Sequence, residues 1–206
     1  MNIYHPPAAD IIEQSRQLLT VLEQQRHAFV QADVCLERHL PLHVELEAAQ
    51  LASQHALAAW RLALARRWEY EIQARRVSKA IYKELLEFYG SRSTPEMLLL
   101  SSDSSESHNT PHEILRDIRR LQAILSISIG FSAQRQRHNE LEHISTLLED
   151  AIRQTTECET QRRTAMLSRR LAEEMYQRLW CSTRNTLLEK HGFDIVEMPE
   201  FTTLQA

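Results

Sequence analysis

The chain carries only three glycines in its 206 residues, Gly90, Gly130 and Gly192, and only six prolines. Reversing a chain tightly requires residues that reach positive φ or that preset φ, which glycine and proline supply most readily. A chain this poor in both can make few turns. β-Sandwiches, β-barrels and Rossmann-type repeats need such punctuation about every ten residues, so they are excluded. The expected class is all-α: an elongated antiparallel helical hairpin or bundle of two long kinked arms. These would comprise about four helices with coiled-coil-like packing.

The punctuation places the ends of the arms. Pro6 and Pro7 suit the first turn of a helix, and Gly90 and Gly192 stand where glycines end helices. The spacing predicts a first arm over residues 1–90, with a break near Pro41, and a second over 111–192. Between them, residues 91–110 form a serine-rich polar connector, and 193–206 form an extended tail. The connector ends in Thr110-Pro111-His112-Glu113, a capping box with proline at the first helical position. Ser93-Thr94-Pro95-Glu96 repeats that signature and predicts a short helical turn near Met97–Leu100. Two arms of similar length imply a register in which residue i faces about 201 − i. Within the second arm, the candidate weak points are Ser132–Asn139 and Thr155–Thr164.

Apolar residues recur at helical spacing throughout, as in Ile114, Ile118, Leu121 and Leu125. Their stripes are about three positions in seven, wider than a strict two-stranded seam. Residues 56–65 are apolar everywhere except Arg61. A helix that is apolar all round needs cover on several sides, from its own bundle or from another chain. A shift of 102 residues superimposes Leu46 on Leu148, Leu85 on Leu187 and Gly90 on Gly192. A duplication would produce this, and so would two long helices of similar pattern.

No constellation points to catalysis. There is no Gly-x-Ser-x-Gly elbow, and glycine is too scarce for a phosphate-cradling loop. Glu140 and His143 have the Glu-x-x-His spacing of di-iron bundles, but a second such motif is lacking. His39, His43 and Glu47 would share a helix face if Pro41 allowed it, and His108 and His112 straddle a helix start. Neither set predicts a metal, and no cofactor or small-molecule substrate is expected. Cys35, Cys158 and Cys181 are an odd number without metal-like spacing, which suits reduced thiols inside a cell. MNIYHPPAAD has neither a basic n-region nor an apolar h-region, so a cytoplasmic setting without signal or membrane span is expected.

The formal net charge is −4, and arginines interleave with glutamates, so neither nucleic acid nor membrane is expected as a partner. The expected role is a non-enzymatic helical scaffold or assembly subunit binding other protein chains, as a homodimer or in a hetero-complex. The candidate contact residues are Trp60, Leu64, Trp68, Ile72, Tyr82 and Tyr89, large side chains lying partly off the hairpin stripe. Completing a core within the chain is the competing role for the same six. Alternative readings are a long-helix module on an anionic or membrane surface, or a ferritin-like metal-binding bundle. Ser102, Ser104, Ser105, Thr94 and Thr110 are candidate regulatory phosphorylation sites, set against a plain solubilising linker with two ordinary caps.

Overall fold

The structure, a computed structural model, describes residues 8–24, 30–90, 94–101 and 110–191. Among these, every regular element is helical: α1 (Ala8–Gln24), α2 (Val30–Tyr89), α3 (Pro95–Ser101), α4 (Pro111–Ile127) and α5 (Gln134–His191). The chain is an all-α helical bundle protein. No helix among the described residues is long and apolar enough to cross a membrane. The tail 193–206 lies outside the described residues, as do Ser102, Ser104, Ser105 and His108.

Local chemistry explains several of the ends. Gly90 adopts φ +70°, and its N–H donates to the Leu86 carbonyl at 2.9 Å, closing α2 as a left-handed C′ residue does. Thr110 caps α4 reciprocally: its Oγ1 accepts from Glu113 N–H at 3.3 Å, and Glu113 Oε2 accepts from Thr110 N–H at 2.9 Å. Gly130, at φ +92°, turns the chain between α4 and α5. The short helix expected after Thr94 is α3, where Leu98 N–H donates to the Thr94 carbonyl.

Two expectations are corrected. The first arm does not part at Pro41, because α2 runs helically through it from Val30 to Tyr89. Pro41 is exposed, so solvent can hydrate the carbonyl whose bond the missing N–H forfeits. The register is also displaced. Glu84 meets Arg137, Ala63 meets Thr155 and His39 meets Tyr176, so partners sum to about 215–221 rather than 201. The second arm is not one helix: α4 turns off at Gly130 and packs as a third helix, so pairing with α2 begins only at α5.

The molecule has two compact units, one of residues 58–160 and one of residues 1–57 with 161–206. In the first, one continuous core joins Ala74, Ile81 and Leu85 of α2, Met97 of α3, six residues of α4, and Leu141, Ile144 and Leu148 of α5. α4 supplies Ile114, Leu115, Ile118, Leu121, Ile124 and Leu125, all at i, i+3, i+4 spacing. Burying each such side chain contributes about 1.5–3 kcal/mol before conformational entropy is charged against it. In the second unit, Leu18 and Leu22 of α1 pack with Trp180, and Ile11 packs with Leu46 and Tyr176.

The two units are assembled from equivalent parts. α1 and α4 have 17 residues each, while α2 and α5 have 60 and 58. An offset of 103 carries Ile11, Ser15, Leu18 and Leu22 onto Ile114, Ile118, Leu121 and Leu125, and all eight are buried. An offset of 102 carries His39, Leu46, Ser53 and Ala74 onto Leu141, Leu148, Thr155 and Tyr176, again all buried. Arg16 pairs with Glu47 at 2.6 Å, and their counterparts Arg119 and Glu149 pair at 2.9 Å. Arg67–Glu71 at 3.0 Å recurs as Arg169–Glu173 at 3.2 Å. Shared hydrophobic period alone would align apolar stripes but not specific ion pairs. The halves are therefore a structural repeat: a short helix followed by a long one, twice over.

Candidate docking site

Four of the six candidate contact residues, Trp60, Leu64, Trp68 and Ile72, follow one another at i, i+4, i+8 and i+12 on α2. Residues at this spacing share one side of a helix. Trp68 is 64% exposed, while Trp60, Leu64 and Ile72 are half-buried. A shallow groove of about 390 Å³ opens beside this ridge, lined by Arg61, Leu64, Ala65, Arg67 and Trp68. Arg61, Leu64, Ala65 and Trp68 stand at i, i+3, i+4 and i+7, the four corners of the hole into which a facing helix inserts a knob. Arg67 is held at the margin by Glu71, whereas Arg61 has no ion-pair partner among the described residues.

The other two candidates fold inward. Tyr82 and Tyr89 are half-buried against the core of residues 58–160. The Tyr89 hydroxyl hydrogen-bonds Ser128 Oγ at 2.8 Å, tying the end of α2 to the end of α4. For these two, the core-completing role holds. Sequence reasoning missed Arg61 and Ala65 as part of the groove. A signal was present, since Arg61 is the single polar residue in 56–65. On α5, Leu167, Leu171 and Met175 form a separate exposed ridge in the unit containing residues 161–206.

The histidines divide between core and surface. His39 is fully buried, with Nε2 2.8 Å from Thr183 Oγ1 and Nδ1 3.3 Å from the Tyr176 hydroxyl. The Tyr176 ring meets it edge-on at 5.4 Å. Burial lowers the His39 pKa to about 4, so the imidazole is neutral at pH 7. Burial likewise pushes the Tyr176 phenol up, against a hydrogen bond with Ser15. His43 Nδ1 lies 2.5 Å from Ser15 Oγ and its Nε2 is 3.3 Å from Glu47. Glu47 is held below the usual carboxylate range, chiefly by its hydrogen bond from Arg16. His39 is thus part of a hydrogen-bonded core network.

Glu140 is engaged by Arg137, which also grips Glu84 through two nitrogens, at 2.5 and 2.9 Å. His143 and His112 are exposed. Among the described residues, no group of three or more His, Cys, Asp or Glu is placed to hold a metal ion. The three cysteines are all free thiols, and burial raises the Cys35 pKa. Of the phosphorylation candidates within the described residues, Thr94 begins α3 and Thr110 is the α4 cap. Comparison with protein-family models, with curated proteins and with solved structures finds no match.

Proposed function

We propose that this protein is a non-enzymatic helical scaffold or assembly subunit that works inside the cell by binding another protein chain along α2. The observation that carries this reading is Trp68: a large aromatic with 64% of its surface in solvent, at the corner of a groove. Exposing a tryptophan forgoes roughly 1.5–3 kcal/mol of burial, and buried aromatics are the usual anchors of protein interfaces. The repeat strengthens the case. The ridge Trp60, Leu64, Trp68 has as its counterpart Arg162, Met166, Arg170, in which Arg162 Nη1 meets Met166 Sδ at 3.2 Å. One copy of the long helix thus folds with arginines where the other has tryptophans, and folding does not call for the tryptophans. Three free thiols accord with the intracellular setting.

Site-specific photo-crosslinking tests this. A benzophenone side chain at position 68, in cells of the native host, is expected to trap one dominant protein adduct. The same group at Gln73, also exposed on α2, is expected to trap little. Equal, diffuse labelling from both positions would refute the reading.

A further inference from the structure

We propose that the hole formed by Arg61, Leu64, Ala65 and Trp68 receives an amphipathic helix of a partner protein whose apolar seam is bordered by carboxylates. The proposal rests on the docking role of α2 and adds the secondary structure and charge of what docks. The shape argues for a helix. Four side chains at i, i+3, i+4 and i+7 frame the groove, one of them only an alanine, Ala65, and leave about 390 Å³ open. An apolar knob from a crossing helix enters such a hole, and further knobs then meet the same ridge at Trp60 and Ile72. A planar lipid surface would cover Trp68 and leave the floor of the groove empty.

The charge argues for carboxylates. On the side of α2 that carries the hole, Arg61, Arg75 and Arg76 are exposed, against Glu69 alone among exposed acids of residues 58–76. Arg67 and Glu71 neutralise each other. Arg61 is itself a corner of the hole, and it has no ion-pair partner among the described residues. A guanidinium beside a docked apolar knob is partly desolvated, where a carboxylate from the partner forms a strong, geometrically specific pair. A basic helix would bring like charge against Arg61, so the same group selects against it.

The repeat supplies an internal control. The counterparts of the four corners are Arg163, Met166, Leu167 and Arg170. Arginine stands at the first corner in both copies, but an arginine replaces the Trp68 anchor in the second. One helix is therefore expected per chain, at the α2 hole.

The test uses the full chain and a fluorescein-labelled synthetic 21-residue helix with Leu at heptad positions a and d and Glu at e and g. Fluorescence anisotropy at low ionic strength is expected to show saturable 1:1 binding. Arg61→Glu weakens it at least tenfold, and Ala65→Phe, which fills the hole, does the same. Arg163→Glu changes it less than twofold, with circular dichroism verifying that each variant stays folded. Absence of binding overturns the proposal, as does equal or tighter binding of the same peptide with Lys at e and g. Equal weakening by Arg163→Glu also overturns it. Two further results would do so: phosphatidylserine vesicles binding through Arg61 where the peptide does not, or light scattering showing a dimer whose second copy shields Trp68. A position-68 crosslink that persists while the acidic peptide fails to bind would retain the docking face and discard this partner chemistry.

Discussion

His39 should make the protein acid-sensitive in a window set by its own burial. Its pKa is about 4 in the folded chain, against about 6.5 for an unperturbed histidine. Between these values the unfolded chain binds a proton that the folded chain refuses. Stability from this residue is therefore fully present above about pH 6.5 and lost as pH falls towards 4. The linkage relation gives a loss of about 2 kcal/mol between pH 8 and pH 5, with a slope approaching 1.4 kcal/mol per pH unit. The neighbouring Tyr176 and Cys35 are both shifted upward, so neither titrates in this window. The perturbation is His39→Leu, which installs the residue found at the repeat counterpart, Leu141. It leaves Tyr176 and Thr183 each one partner short, costing about 1 kcal/mol or more at pH 8. Against that cost, it should flatten the acid slope. Urea denaturation followed by far-UV circular dichroism at pH 8, 7, 6 and 5 measures both terms. If the variant loses stability on acidification as steeply as the parent, the buried neutral imidazole is not the source, and the reasoning fails.

Other perturbations separate packing from surface. Leu85→Ala, in the core of residues 58–160, should cost about 2–5 kcal/mol in chemical denaturation, whereas Trp68→Ala should stay within about 0.5 kcal/mol. A large loss from the latter would mean that Trp68 serves the fold. Arg137→Met removes the two-pronged grip on Glu84 and the bond to Glu140; about 1 kcal/mol is expected from urea midpoints, falling when salt is raised. Thr110→Ala removes the capping box of α4 and should cost about 1 kcal/mol, with Thr110→Ser restoring most of it in the same assay.

The helical class was legible because glycine scarcity is a global property that no tertiary contact can override. Gly90 and the Thr110–Glu113 box were legible because caps are local chemistry, satisfied within four residues. The register was not. It depended on whether the chain turned at Pro41 or at Gly130, and a proline in an exposed helix face can be tolerated while a left-handed glycine between helices redirects the chain. Which of the two competing roles fell to the two tyrosines was hidden for a related reason. Tyr82 and Tyr89 lie off the stripe expected of a two-helix hairpin, but α4 packs as a third helix and gives that face an inner side. The Trp68 groove was half legible: the apolar ridge stood out, whereas its hole required knowing that Arg61 and Ala65 line the same opening.

The repeat also has a consequence for how the chain comes to be folded. Residues 58–160 form one uninterrupted unit, whereas the other unit needs both α1 and residues 161–191 of α5. Closing the second unit brings together segments separated by more than 130 residues, against 92 between Ala63 and Thr155 in the first, so it pays the larger closure entropy. On a ribosome, α1 and the opening turns of α2 emerge before α5 and wait for Tyr176 and Trp180 to be made. The protein should thus mature from the middle outward. Pulse-labelled amide exchange during refolding is expected to protect Ile118 and Leu85 before Leu18 and Leu46, and simultaneous protection would contradict that order. In each nascent molecule α1 is made before α5, yet it is the last to acquire its native neighbours.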